Sequence, residues 1–147
     1  MKSEPAEFSI EDLVREGEVA WDGVRNYQVR NMMRDTMRVG DKALFYHSNT
    51  KPLGVVGEME ITQEAYPDPS QFDVSNPYYE PRSSEADPRW LAVNVRALHV
   101  FPRTVTLAEI KEEKCFRDHP IVQRGSRLSI TQISTDQYKK IITLATH

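Results

Sequence analysis

Between Trp21 and Asn49 the chain gathers an indole, the amides of Asn26 and Asn49, the hydroxyl of Ser48 and guanidiniums at Arg25, Arg30, Arg34 and Arg38. Groups of these types grip a flat polar ring beside a phosphate and are poor tools for breaking a bond. Trp21 precedes Asp22-Gly23, a turn signal, and has no apolar periodicity around it. Its ring is therefore expected to be exposed at a strand end, where stacking on a base contributes roughly 1–3 kcal/mol. Every base has a π-face, so identity has to come from hydrogen bonds to the ring edge. Asn26, Ser48 and Asn49 supply donors and acceptors, with Ser3 as a further one. An amide pairs bidentately with a base edge. Asn equally satisfies turn backbone, and for Asn26 the two roles fit together. Arg25 and Arg30, close to Trp21 and Asn26, suit phosphate because their planar forks donate two parallel hydrogen bonds. Arg34 and Arg38 read as a solvated face. Trp90 follows Pro88-Arg89 and opens a strand, which divides it between the pocket and the core.

Catalysis finds less support. Cys115 and His119 are four residues apart, but a nucleophilic thiol also needs an orienting group and an oxyanion site, and nothing nearby supplies them. They read as a packed thiol and a surface histidine before Pro120. The four histidines form no metal spacing with cysteine or carboxylate, and no cofactor is expected. His47 is the only one adjacent to the proposed site. The His-x-Glu and Pro-Cys-x-x-Cys signature of deaminases is absent. Gly54-Val55-Val56-Gly57 lacks the spacing of a nucleotide loop.

These side chains need a frame. Ser9 and Asp12 form a shortened capping box, Phe8 can staple onto Leu13, and Gly17 stops the helix. Val29, Met33 and Met37 recur every four residues beside Arg30, Arg34 and Arg38, which predicts a helix with adjacent stripes. Strands are expected over 43–46, 54–61 and 90–101, the last alternating with a period of two. Gly57, inside the second of these, suggests a bulge or a close backbone approach. The 66–88 stretch holds five of the nine prolines and reads as a long ordered loop anchored by Tyr78 and Tyr79, covering the sheet or else forming a lid or flank of the binding site. Thr106 to Glu109 is a second capping box. Arg124 to Arg127 turns into a strand over 128–133, and Thr135 caps a last helix with Tyr138, Ile141, Ile142 and Ala145 on its buried face.

A length of 147 residues with 39% hydrophobic content fits a single domain with one core. No apolar run reaches the roughly 18 residues a membrane span needs, and the lone Cys115 cannot form an internal disulfide. A cytoplasmic protein is the expectation, with its oligomeric state open. The formal charge of −3 argues against indiscriminate coating of nucleic acid, which rests on phosphate neutralisation.

Five blocks carry a resemblance. Lys2-Ser3-Glu4-Pro5, Trp21-Asp22-Gly23-Val24-Arg25-Asn26-Tyr27-Gln28, Leu44-Phe45-Tyr46-His47-Ser48-Asn49, Gly54-Val55-Val56-Gly57 and Arg127-Leu128-Ser129 resemble, in order and across nearly the whole chain, the EVE domain family. The resemblance implies an α+β, PUA-like fold: a mixed, strongly bent β pseudo-barrel with helices packed outside. EVE domains are similar to YTH readers, which hold a methylated base in an aromatic cage, and members are regarded as readers of modified bases, not as enzymes. Trp21 would then form one wall of the cage. Trp21 or Leu128 would supply the apolar surface for a methyl group, Ser129 lies in the matched motif, and Arg127 would hold a phosphate or a carboxylate such as Glu4 or Asp22. The expectation is a non-catalytic module reading a modified base, a modified cytosine in DNA. The alternatives are a reader of modified RNA such as tRNA, or an enzyme acting on a free nucleotide through His47.

Overall fold

In a computed structural model, residues 1–146 are described. The elements run in the order β1 (Lys2–Ser3), α1 (Ile10–Glu16), β2 (Glu18–Trp21), α2 (Tyr27–Thr36), β3 (Lys42–His47), β4 (Gly54–Pro67), β5 (Leu91–Thr106), α3 (Leu107–Lys111) and α4 (Thr135–Ala145), with three short 3-10 turns. The strands form one mixed sheet in the order β1-β3-β4-β5-β2. Only β1 and β3 pair in parallel.

Helix starts follow local chemistry. The Ser9 hydroxyl accepts from Asp12 N–H while the Asp12 carboxylate accepts from Ser9 N–H, and Gly17 ends α1 at φ +82°. Thr106 and Glu109 repeat the box on α3. On α4 the cap is Ser134, paired with Gln137, one residue before the expected Thr135. The Val29/Met33 stripe of α2 is buried. The helix stops at Thr36, so Arg38 lies beyond it.

Because side chains alternate along a strand, β3 sends Phe45 into one core and Leu44 and Tyr46 into another. The first core packs under α1 and α2, with Ile10, Leu13, Val29 and Met33 against Met59, Ile61, Val93 and Val95. The second packs under α3 and α4 around Val105, Ile110, Phe116 and Ile141. A hollow of about 490 Å³ straddles the two, lined by Met32, Leu44, Phe116, His119, Ile130 and Ile141 among others. Gly57 sits at a register shift between β4 and β5. A Cβ there would lie 2.6 Å from the His99 carbonyl oxygen, the close approach anticipated for it.

Three expectations are corrected. β4 runs to Pro67 instead of ending at Ile61, and β5 runs to Thr106 instead of ending at Phe101. Residues 128–133 form no strand among the described residues. The Ser129 carbonyl accepts from Lys2 N–H at 2.8 Å, but the Gln132 carbonyl bonds the His119 ring at 2.7 Å. With its backbone shared between a strand edge and a side chain, the segment has no continuous partner. No helix among the described residues is long and apolar enough to cross a membrane.

Candidate functional site

Three pieces of chain, joined by Phe8, Glu16, Ser48 and Tyr78 from others, supply most of the lining of one cavity of about 930 Å³. The first is the β1 edge, fixed by the Lys2 and Ser48 backbone bonds to Ser129 and Ser3. The second is the turn from the end of β2 into α2. The third is the 126–129 segment. The volume falls at the upper end of the roughly 300–1,000 Å³ of small-ligand sites.

Of the residues nominated from sequence, Ser3, Trp21, Arg25, Asn26, Ser48, Arg127, Leu128 and Ser129 all line this cavity. The indole is not the exposed plate that was expected. Trp21 is only 8% exposed and meets Phe45 edge-on at 5.4 Å between ring centroids. The apolar context came from strands distant in sequence, which local periodicity around Trp21 could not register. What remains open is the part of the indole facing the cavity, so Trp21 is a fixed wall of it. Asn26 caps α2, its Oδ1 accepting from Val29 N–H at 3.0 Å. Its Nδ2 has no partner among the described residues and is available as a donor. The Ser3 hydroxyl donates to the Phe8 carbonyl at 2.7 Å and keeps only acceptor capacity. Arg127 is exposed on the rim.

Three nominated residues fall outside. Asn49 is exposed, with φ +53°, and its amide points to Glu4 at 3.4 Å. Trp90 is 3% exposed, stacks on Tyr27 at 4.6 Å and donates its Nε1–H to Glu80. It is a core ring of the 66–90 region. Arg30 donates to Asn31 Oδ1 and to the Arg89 carbonyl, away from the cavity.

Arg25 reaches the cavity wall with its guanidinium already engaged. It donates to Asp68 at 3.0 Å, to Ser70, and to the carbonyls of Val24 and Tyr78. Asp68 is fully buried and also accepts from Gly23 N–H, Ser70 N–H and the Ser70 hydroxyl. Burial alone would raise its pKa. The donors from Ser70, Gly23 and Arg25 outweigh that and hold it below the ordinary carboxylate value. Gly23 is needed twice: its φ is +76°, and a Cβ there would meet the Tyr78 ring at 2.7 Å.

Among the lining residues not nominated from sequence, two stand out. Asp22 was taken as part of a turn signal and as a possible partner of Arg127. It lines the cavity beside Trp21, and its pKa is raised by partial burial and then by the neighbouring Asp68 charge. Tyr78 was taken as a sheet anchor; it is 42% exposed and flanks the cavity. The lining is not positive overall. Glu4, Glu7, Glu16 and Asp22 face Lys2, Arg25 and Arg127.

His47 is turned away from this chemistry. Its Nε2 accepts from Ile10 N–H at 3.1 Å, and burial lowers its pKa. The Cys115 and His119 readings are reversed: the thiol is exposed and the imidazole 7% exposed. The His119 Nδ1 accepts from Ile121 N–H, so its packing is structural. No group of three or more potential metal ligands occurs among the described residues.

A bent mixed sheet with outside helices and a cavity at its strand ends is the PUA-like arrangement. The EVE domain family model matches residues 1–144, and the chain belongs to that family. Among curated relatives it is similar to thymocyte nuclear protein 1 of Mus musculus, 48% identical over 122 residues covering 76% of this chain and 54% of that protein. The chain therefore spans about half the length of that relative. A crystal structure of a protein from Pseudomonas putida superposes with a TM-score of 0.95 at 43% identity, covering 99% of this chain and 97% of the other. Human THYN1, solved in complex with 5-methylcytosine-containing DNA, superposes at 0.88 with 38% identity, covering 100% and 96%.

Proposed function

We propose that this EVE domain binds DNA carrying a modified cytosine and holds the modified base in the 930 Å³ cavity without chemical change. The observation that carries the reading is the convergence of one fixed aromatic wall, a free amide donor and a carboxylate on a single cavity. The likeness to human THYN1, whose structure contains 5-methylcytosine DNA, supports the choice of base.

In this reading the Trp21 indole packs against the base. Asn26 Nδ2 donates to an acceptor on the pyrimidine edge, and the Asp22 carboxylate accepts from the exocyclic amino group, the pairing an acidic side chain makes with cytosine. Leu128 and Phe8 offer apolar surface to a methyl group, and Lys2 and Arg127 at the rim meet phosphate. A base in duplex DNA has to leave the stack to enter such a cavity, which costs a few kcal/mol. The enzyme alternative is disfavoured because His47, its only candidate acid or base, already accepts the first N–H of α1.

Titration with matched DNA and RNA oligonucleotides, each with and without the modified cytosine, tests this. Tighter binding of modified DNA than of its unmodified counterpart is expected. Equal affinity for both overturns base reading, and a preference for modified RNA transfers the function to the RNA alternative.

A further inference from the structure

The cavity leaves a problem for a polyanionic partner: its lining carries four carboxylates against three cations, and one of those cations, Arg25, is bound to Asp68. The strand on either side of the recognised base therefore needs positive charge from elsewhere. A continuous stack leads away from the cavity on its Tyr78 side. The Arg25 guanidinium lies 5.3 Å from the Tyr78 ring centroid and 5.5 Å from that of Trp90. Trp90 stacks on Tyr27, and Arg30 lies 4.7 Å from the Tyr27 centroid. Arg89 donates to the Tyr27 hydroxyl at 3.2 Å.

This ladder has two kinds of member. Trp90 and Arg25 are its fixed interior, while Tyr78 and Tyr27 are 42% and 44% exposed. The guanidiniums differ in the same way. Arg25, Arg34 and Arg82 pair with Asp68, Asp35 and Glu80. Arg30 and Arg89 bond only neutral oxygens among the described residues. Tyr27 has Trp90 on one face and Arg30 on the other, so an incoming base meets the Arg30 guanidinium plane and the exposed Tyr78 ring. Guanidiniums without a carboxylate hydrogen bond supply positive charge to the backbone, which completes the two requirements of an unpaired strand.

We infer that the Tyr78–Tyr27 face, with Arg30 and Arg89, binds unpaired nucleotides flanking the recognised base, so that the preferred partner is a single-stranded or locally opened strand. This rests on the base-reading proposal and adds a second subsite to it. The ladder acts on any neighbouring base, because stacking is insensitive to sequence.

The test compares the same modified cytosine in a single strand, in a perfect duplex and in a duplex with unpaired neighbours, for the wild type, Tyr27→Ala and Arg89→Gln. Neither variant lines the cavity. Tighter binding of the two unpaired forms than of the perfect duplex is expected. Tyr27→Ala is expected to weaken the unpaired forms roughly tenfold while the ratio of modified to unmodified affinity stays put. Arg89→Gln is expected to lower the slope of log affinity against log salt by about one contact, a readout that stands even if Tyr27→Ala folds poorly. A modified preference that persists with wild-type affinity and salt slope in both variants overturns the ladder alone. Loss of the modified preference in the wild type overturns base reading instead.

Discussion

Two of the molecule's hollows differ in what their polar atoms are doing. In the 490 Å³ hollow between the cores, His119 has both ring nitrogens engaged, one with Ile121 N–H and one with the Gln132 carbonyl, and aliphatic side chains share the remaining wall with Thr36, Asp41, Lys42, Tyr46 and Thr131. In the 930 Å³ cavity, the Asn26 amide group, the Ser48 hydroxyl and the Asp22 carboxylate converge with hydrogen-bonding capacity to spare. Volume alone does not distinguish a site from a packing defect; convergent polar groups in an apolar frame do.

That contrast can be broken at several points. The largest effect is expected from Asp68→Ala, which leaves Arg25 charged and half-buried without its partner. Removing one member of such a pair costs about 3–5 kcal/mol, visible as an early midpoint in denaturant. The 930 Å³ cavity would keep its wall only if the turn at Gly23 held without Asp68. The pKa of Asp68 is lowered in the fold, so its contribution is complete above the unfolded carboxylate value of about 3.9 and is lost as pH falls toward its folded value. Asp68→Ala should flatten the acid limb of the stability profile.

Asn26→Asp sharpens the comparison. An aspartate caps a helix about as well as an asparagine, so the melting temperature should hold. The Nδ2 donor is lost, and affinity for the modified oligonucleotide should fall roughly tenfold, about 1.4 kcal/mol. Unchanged affinity would remove Asn26 from the proposed reading.

Asp22→Asn should separate function from stability. The folded pKa of Asp22 is raised, so the folded state prefers it protonated and is least stable when it is ionised. The variant should therefore melt higher than the wild type at neutral pH, and the gain should vanish as pH drops below the unfolded carboxylate value. Its affinity for the modified base should fall over the same neutral range.

The smallest effects come from a matched pair of hydroxyl deletions. Ser48→Ala lines the larger cavity and should weaken binding a few-fold. Thr131→Val lines the hollow between the cores, and should leave binding unchanged and stability within about 0.5 kcal/mol. Equal effects on binding would mean that the two hollows do not differ as argued.

Much of this was legible in sequence where the signal is local. Capping boxes at Ser9 and Thr106, the Val29/Met33 stripe and the strand alternation depend on residues within four positions of one another, and each formed. The order of short blocks that resemble the EVE family placed most of the cavity lining. Illegible features depend on partners far along the chain. Trp21 looked exposed because Phe45, which buries it, lies 24 residues away. The 128–133 segment alternates like a strand, but its Gln132 carbonyl is engaged by His119. Asp68 sits between two prolines and reads as loop, yet it is the most heavily hydrogen-bonded carboxylate near the site.

Gln71 has a consequence for how such a domain can diversify. Its buried amide donates to the carbonyls of Asp68 and Trp90 and accepts from the N–H groups of Arg89 and Trp90. The two feet of the 72–88 excursion are thereby clasped together. Outside Tyr78 and Glu80, which bond Arg25 and Trp90, the excursion can be lengthened, shortened or rewritten like an interchangeable head on a fixed shank, while the clasp keeps the cavity wall in place.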